Sequence, residues 1–252
     1  MQKNAVTVYD LVRDRLEHIE LIFELRHSYC NLDLVKPVGD NGWTHPWRYF
    51  EGLIHYLLLT CFDLLGQPSE WVSFSEWLNS DKKKAERCLV ESCMPVNSPP
   101  LEITKHFNSE YQKMYGVRTS FNNFVLEIIS DTERAELYTN IEIVRGRMDG
   151  EPNTCYPALG LIDNDNKKLE FLFSLRNKFT HTATVMGSPA AGVFPHIYDW
   201  FVIDGVAMKG YSEIYREEKN GEWLIYQVRD WPFSLIRLIK TALSRNESQK
   251  AI

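Results

Sequence analysis

One segment of this 252-residue chain is apolar around most of a helix, and it limits how the rest can fold. A helix is predicted to begin after Thr44, with Pro46 in its first turn, and to end at Leu65 before Gly66 and Pro68. Its apolar side chains are Phe50, Leu53, Ile54, Leu57, Leu58, Cys61, Phe62 and Leu65. A helix that is apolar on most sides is buried, so we expect it to be the central core helix of a helical domain.

Further helical patterns surround this segment in the sequence. Apolar residues recur at helical spacing over 6–30, 74–93, 101–115, 117–130 and 167–184. Ser73 is predicted to cap the helix that begins at residue 74. Residues 131–147 are predicted to form a further helix, although 138–144 has the composition of a strand as well. These patterns indicate a mainly α fold, a helical bundle.

The turn-forming composition of residues 148–166 predicts a loop, and either Asp165 or Asn166 is expected to cap the helix that follows. The pattern changes again in residues 188–252. Residues 200–203 form a candidate strand, and 211–216 and 222–228 flank an Asn-Gly pair, which is a strong hairpin signal. Pro232 opens a last amphipathic helix. No linker is evident, so 1–252 is predicted to be a single α-rich domain with a small C-terminal β-hairpin and a final helix.

Composition narrows the classes of function. Hydrophobic residues make up 44% of the chain and charged residues 25%, which is typical of a globular protein. The net charge of -6 argues against a sequence-blind nucleic-acid binder but permits a small basic site. The most apolar run, 53–65, contains His55 and Asp63 and is too short to span a bilayer, so no membrane association is expected.

The cysteines predict a reducing compartment. Their number is odd, and the sequence has no Cys-x-x-Cys pair, so Cys30, Cys61, Cys88, Cys93 and Cys155 are interpreted as reduced, mostly buried thiols. No apolar segment follows the N-terminus, as a signal peptide would require, and we expect a cytoplasmic protein. No clustered metal ligands are evident, so neither a metal nor another cofactor is expected.

The candidate functional segment is Arg176-Asn177-Lys178-Phe179-Thr180-His181, which follows an apolar helical run. On a helix Asn177 and His181 lie on one face, and Arg176 and Thr180 on a line about 100° away. Arginine binds phosphate through two hydrogen bonds, and histidine exchanges a proton near neutral pH. This combination suits RNA cleavage by attack of the ribose 2′-OH on the adjacent phosphate.

In that reaction His181 would serve as the general base or acid, and Arg176 would offset the charge on phosphate. Asn177 would orient the imidazole or a phosphate oxygen. Lys178, Thr180 and Lys168 are the predicted substrate contacts, with Lys167 as a further member of a local basic patch. Two copies of the helix meeting at a symmetry axis would bring the site residues together in one groove, so a homodimer is expected.

A structural interpretation of the same segment stays open. Arg, Asn and His are favoured near the C-terminal end of any helix by capping and by the helix dipole. Elsewhere, His55 is predicted to be a buried histidine with satisfied hydrogen bonds. The run Lys82-Lys83-Lys84 is predicted to be a solvated helix face.

The segment 175–181 resembles the signature of HEPN-domain proteins, which is Arg, a polar residue, three or four others and then His. The core helix 46–65 is similar to a packing helix of that family. The resemblance implies a dimeric helical bundle and a metal-independent RNase of a defence or toxin type, with Arg176, Asn177 and His181 as site residues. It implies RNA as the substrate and an antitoxin or a nucleotidyltransferase as partner. Some members have lost catalysis and bind nucleotide, RNA or protein instead. Residues 188–252 depart from the simple members, which end soon after the motif.

Overall fold

A computed structural model describes residues 7–31, 48–95, 97–146, 158–182, 202–203, 206–207, 211–219 and 222–250. Contacts divide the chain into two compact units, one formed by Met1–Cys61 with Ile129–Ile252 and the other by Phe62–Ile128. We call them the sheet unit and the helical unit. The prediction of a mainly α fold with a C-terminal hairpin and a final helix is confirmed. That these units act as a single domain stays a prediction.

The sheet unit combines helices with an antiparallel sheet. Its helices are α1 (Val8–Asn31), most of α2 (Arg48–Leu65), α7 (Asp131–Thr139), α8 (Asp165–Thr182) and α9 (Phe233–Lys250). Its strands are β1 (Ile141–Gly146), β2 (Ala158–Leu161), β3 (Val202–Ile203), β4 (Val206–Ala207), β5 (Tyr211–Lys219) and β6 (Glu222–Arg229). The larger sheet has the order β2-β1-β6-β5, and β3 pairs with β4.

The hairpin β5–β6 therefore belongs to a larger sheet than the sequence indicated. Strand β1 pairs antiparallel with β6, and β2 pairs with β1. Within 131–147, a helix ends at Thr139 and a strand follows, so the strand alternative was right for the second half. The prediction that 148–166 is entirely loop is wrong for 158–161. This short strand is held by its pairing with β1 rather than by its own composition.

The core of the sheet unit lies between the sheet and its helices. Leu58 and Leu59 of α2 are fully buried, which confirms the central position predicted for this helix. Phe171 of α8 stacks on Tyr226 of β6, with 4.9 Å between the ring centroids. Arg15 of α1 donates to the backbone carbonyl of Thr60 at 2.7 Å and so ties α1 to α2. The sheet thus holds α8, the helix with the candidate motif.

The helical unit packs around aromatic side chains. It contains the end of α2, α3 (Phe74–Asn79), a 3-10 helix (Asp81–Lys83), α4 (Lys84–Ser92), α5 (Pro100–Tyr115), α6 (Val117–Asn123) and a π-helix (Phe124–Ile128). The single helix predicted over 74–93 is interrupted at Ser80, whose backbone is extended. Ser73 caps α3 as predicted, because its hydroxyl accepts a hydrogen bond from the Glu76 amide at 3.2 Å.

The prediction that most cysteines are buried is wrong for two of them. Cys61 is buried, but Cys88 and Cys93 are exposed free thiols on or beside α4. The prediction relied on the apolar residues near these cysteines in the sequence. Of the residues in α4, however, only Val90 is buried. The side chains of Cys30 and Cys155 lie outside the described residues. No helix in the described ranges combines the length and the apolar composition needed to cross a membrane.

Gly66, at the end of α2, is required by a close approach of two backbones. A Cβ atom at this position would lie 1.8 Å from the backbone oxygen of Ser120 and 2.8 Å from the backbone nitrogen of Phe124. We expect Gly66→Ala to lower the free energy of unfolding by about 1–3 kcal/mol, the usual cost of overpacking. Urea denaturation measures the change, with Gln67→Ala as the control at the next residue. Unchanged stability in Gly66→Ala would show that the two backbones separate at no cost.

Candidate functional site

Helix α8 carries the candidate motif near its C-terminal end. The helix begins at Asp165, and Asn164 caps it by accepting a hydrogen bond from the Lys167 amide at 2.9 Å. The prediction that Asp165 or Asn166 caps the helix is therefore wrong, since the capping residue lies one or two positions earlier in the chain. The side chains of Leu172 and Leu175 are buried, and they fix the rotation of the helix about its own axis.

Arg176 and Asn177 are in direct contact. The Arg176 Nη1 donates a hydrogen bond to the Asn177 Oδ1 at 3.1 Å, and both side chains are half-buried. This bond turns the amide oxygen of Asn177 toward Arg176, and the amide nitrogen of Asn177 carries two N–H donors. Guanidinium and amide N–H groups together suit an anion.

The predicted general acid or base lies only partly within the described structure. Helix α8 continues through Thr182, so position 181 follows position 177 by one helical turn. The side chains of Phe179, Thr180 and His181 lie outside the described residues. The placement of the His181 imidazole beside Asn177 stays a prediction, as does the contact of Thr180 with substrate.

The predicted basic patch is not assembled as expected. Lys168 is 8% exposed, and its ammonium lies 3.2 Å from the Asp163 carboxylate. It also lies eight residues before Arg176, or about 12 Å along the helix. Lys178 is exposed and next to Asn177. The structure therefore brings together Arg176 and Asn177, leaves Lys178 beside them only in sequence, and does not bring Lys168 to them.

A polar cluster in the helical unit was missed by the sequence analysis. The prediction of a solvated Lys82-Lys83-Lys84 face is wrong for Lys83, whose side chain is only 6% exposed. Its ammonium donates to Glu86 at 2.9 Å and to the Tyr115 hydroxyl at 2.8 Å. The buried Trp77 also donates to Glu86, at 2.9 Å. We call these residues the Lys83 cluster.

Protonation in the Lys83 cluster is fixed by its hydrogen bonds. Burial raises the pKa of Glu86, but hydrogen bonds from Lys83, Trp77 and Tyr115 outweigh it and hold the pKa below its usual range. The hydrogen bonds with Tyr115 and Glu86 raise the pKa of Lys83 despite partial desolvation. Burial is the main reason that the pKa of Tyr115 is raised. The cluster is thus an ion pair at neutral pH, with its charges satisfied within the protein.

His55 of α2 is a second buried ionisable group. It is 5% exposed, and burial lowers its pKa to about 4. The Trp231 ring packs edge-on against it, with centroids 5.3 Å apart. Its burial confirms the sequence prediction, but the expectation of satisfied hydrogen bonds is wrong: neither His55 Nδ1 nor Trp231 Nε1 is hydrogen-bonded within the described chain.

Neither a metal-ligand cluster nor a match to a known protein adds a further site residue. Among the residues with described side chains, no three His, Cys, Asp or Glu residues come together as a metal site would require. No family model, curated protein or solved structure matches the chain.

Proposed function

We propose that this protein is a metal-independent endoribonuclease of a defence or toxin type, with Arg176, Asn177 and His181 as its catalytic residues. It would act as a cytoplasmic homodimer on RNA, regulated by an antitoxin or a nucleotidyltransferase, as the resemblance to HEPN-domain proteins implies. The observation that carries the proposal is the hydrogen bond between Arg176 and Asn177, which groups N–H donors one helical turn before position 181.

The reaction requires a base, an acid and a cation. The ribose 2′-oxygen forms a bond to phosphorus as its proton passes to the base, and the bond from phosphorus to the 5′-oxygen breaks as the acid protonates that oxygen. His181 supplies the base or the acid, and Arg176 stabilises the charge that develops on the phosphate oxygens. The Asn177 N–H groups donate to the phosphate, since the amide oxygen is turned toward Arg176.

One copy of α8 carries a single motif histidine, whereas the reaction needs two proton-transfer groups. Two copies that met at a symmetry axis would supply both imidazoles and both guanidinium groups to one groove. The exposed Lys178 would lie beside that groove and contact the RNA backbone. This is why the proposal requires a dimer.

A second candidate is a catalytically silent module that binds a nucleotide through the same residues, or else RNA or a protein partner. The burial of Lys168 against Asp163 favours it, because the basic surface near Arg176 is then smaller than a long RNA backbone needs. A single phosphate group requires only the paired Arg176 and Asn177.

Induced expression followed by analysis of total RNA tests the proposal. We expect wild-type protein to stop growth and to leave RNA fragments with 2′,3′-cyclic phosphate ends. His181→Ala and Arg176→Ala should each reduce cleavage by roughly 10²–10⁴-fold, the usual contribution of one proton-transfer or charge-stabilising group.

Two substitutions on α1 are matched controls for this experiment. His18→Ala removes an exposed imidazole, and Arg13→Ala removes a guanidinium that pairs with Asp10. Both should cleave like the wild type. Intact RNA with purified wild-type dimer, together with nucleotide binding that Arg176→Ala abolishes, would support the silent module and contradict the nuclease. Cleavage that survives His181→Ala would also contradict it.

A further inference from the structure

Helix α1 carries a second apolar stripe, on a face that the core of the sheet unit does not cover. Its buried side chains are Val12, Leu16, Ile19 and Ile22. Leu11, Leu21 and Leu25 lie roughly 120° around the helix from these residues, and they are 41%, 54% and 50% exposed. A helix on the surface of a globular protein needs only one apolar stripe to pack on its core, so the second stripe indicates another contact.

The exposed residues have the spacing of a helix-packing surface. Leu11, Asp14, His18, Leu21 and Leu25 follow one another in alternating steps of three and four residues. Such a row stays on one side of a helix and extends about 21 Å along it. It is the pattern through which one helix packs along another. We call these five residues the α1 stripe.

A line of carboxylates borders one side of the α1 stripe. Asp10, Glu17 and Glu24 repeat every seven residues, which keeps them along one side of the helix. Arg13 offsets one of these charges, because it pairs with Asp10 at 3.0 Å. Glu17 and the neighbouring Asp14 are exposed, and neither forms a hydrogen bond or an ion pair with the described part of the chain. The border is therefore negative.

The other cations on or next to α1 do not neutralise this line. Lys240 of α9 bonds to Glu20 at 3.0 Å, and Glu20 lies outside the line. Arg15 lies across the α1 stripe from the line, and it donates to the backbone carbonyl of Thr60 at 2.7 Å. Arg26 falls on the same side of the helix as Arg15 by its position in the sequence. The acidic line thus remains available to a cationic partner.

A second copy of α1 does not suit this surface. Parallel pairing would bring two Asp14 carboxylates together, and antiparallel pairing would bring the two acidic lines together. An anionic membrane and RNA would likewise meet like charge. We propose that the α1 stripe binds an amphipathic helix of another protein. The apolar side chains of that helix pack against Leu11, Leu21 and Leu25, and its lysine or arginine residues face the acidic line, where complementary charge sets the choice of partner.

Two synthetic peptides test this proposal without RNA, so the outcome is independent of nuclease activity. Both are helices of about four heptads with isoleucine at a and leucine at d, and they carry either lysine or glutamate at every e and g position. Like charges at e and g oppose self-pairing of each peptide. Fluorescence anisotropy with the full-length protein should give a dissociation constant of about 10–100 µM for the lysine peptide, and at least tenfold weaker binding for the glutamate peptide.

Substitutions of exposed side chains assign the surface. Leu21→Gln should weaken binding of the lysine peptide about tenfold. Glu17→Lys should weaken binding of the lysine peptide and strengthen binding of the glutamate peptide, because it reverses the charge at the border. The matched control is Leu89→Gln, which changes a leucine of α4 in the helical unit that is 70% exposed. It should bind the lysine peptide like the wild type.

Three results would overturn the proposal. Equal binding of the two peptides would contradict the role of the acidic line, and no binding of the lysine peptide at about 1 mM would contradict a helical partner. Sedimentation of the unliganded protein covers the remaining alternative. A dimer that Leu21→Gln converts to a monomer, while Leu89→Gln does not, would make the α1 stripe an interface between two copies of this chain.

Discussion

Glu86→Ala is expected to lower the free energy of unfolding of the helical unit by about 3–5 kcal/mol, the cost of breaking a buried ion pair by removing one partner. The substitution leaves the Lys83 ammonium with the neutral Tyr115 hydroxyl at 2.8 Å, and its nearest remaining carboxylate is that of Glu70, at 3.3 Å, whose side chain is 83% exposed. It also removes the acceptor of the Trp77 indole, whose side chain is fully buried. Three donors, on Lys83, Trp77 and Tyr115, then lose an acceptor in one step.

Removing the cation should be less damaging than removing the carboxylate. Lys83→Met removes the buried ammonium and leaves the Glu86 carboxylate as the unpaired charge, and the cost of an unpaired charge depends on how far it is buried. Glu86 retains its hydrogen bonds from Trp77 and Tyr115 in that variant, and its side chain is 32% exposed to water. We therefore expect Lys83→Met to cost about 1 kcal/mol, well below Glu86→Ala.

Urea denaturation combined with hydrogen exchange of peptides from α3 to α5 measures both variants and assigns the change to the helical unit. Glu102→Ala is the matched control, because its ion pair with Lys105 is exposed at both residues. Such surface pairs contribute about 0–1 kcal/mol. Equal effects of Glu86→Ala and Glu102→Ala would contradict the role assigned to the Lys83 cluster.

The Lys83 cluster also shows why part of this structure could not be predicted from sequence. Residues 82–84 are consecutive lysines, and only the position of Lys83 relative to Tyr115, 32 residues away, makes it buried. Strand β2 is a similar case, since its existence depends on pairing with β1. Core helix α2 and the hairpin were predictable because local apolar periodicity and a turn signal define them.

The candidate site was also only partly predictable from the sequence. The sequence predicted that Arg176 and Asn177 would lie near the end of a helix, because an apolar run precedes them. It did not predict their hydrogen bond, since adjacent residues on a helix normally point in different directions. Nor did it predict that Lys168 is buried against Asp163, which depends on how the helix is rotated against the sheet unit's core.

Acid should destabilise the sheet unit through His55. The unfolded imidazole has a pKa near 6.5, whereas burial lowers the pKa of the folded His55 to about 4. Between these values the unfolded chain binds more protons than the folded chain, so stability falls as the pH falls. The contribution is fully present above pH 6.5, is lost progressively down to about pH 4, and amounts to about 3 kcal/mol at 1.36 kcal/mol per pKa unit.

A comparison with His55→Phe isolates this contribution from that of the carboxylates, which also titrate near pH 4. Phenylalanine keeps an aromatic ring against Trp231 and has no proton to bind. Urea denaturation of both proteins from pH 7 to pH 4 should show the wild type losing about 3 kcal/mol more than the variant over this window. The exposed His18 provides the control, since His18→Phe removes an imidazole without changing the buried one. Parallel stability curves for wild type and His55→Phe would mean that the folded protein accepts the proton on His55 at no cost, which contradicts a dry environment between α2 and Trp231.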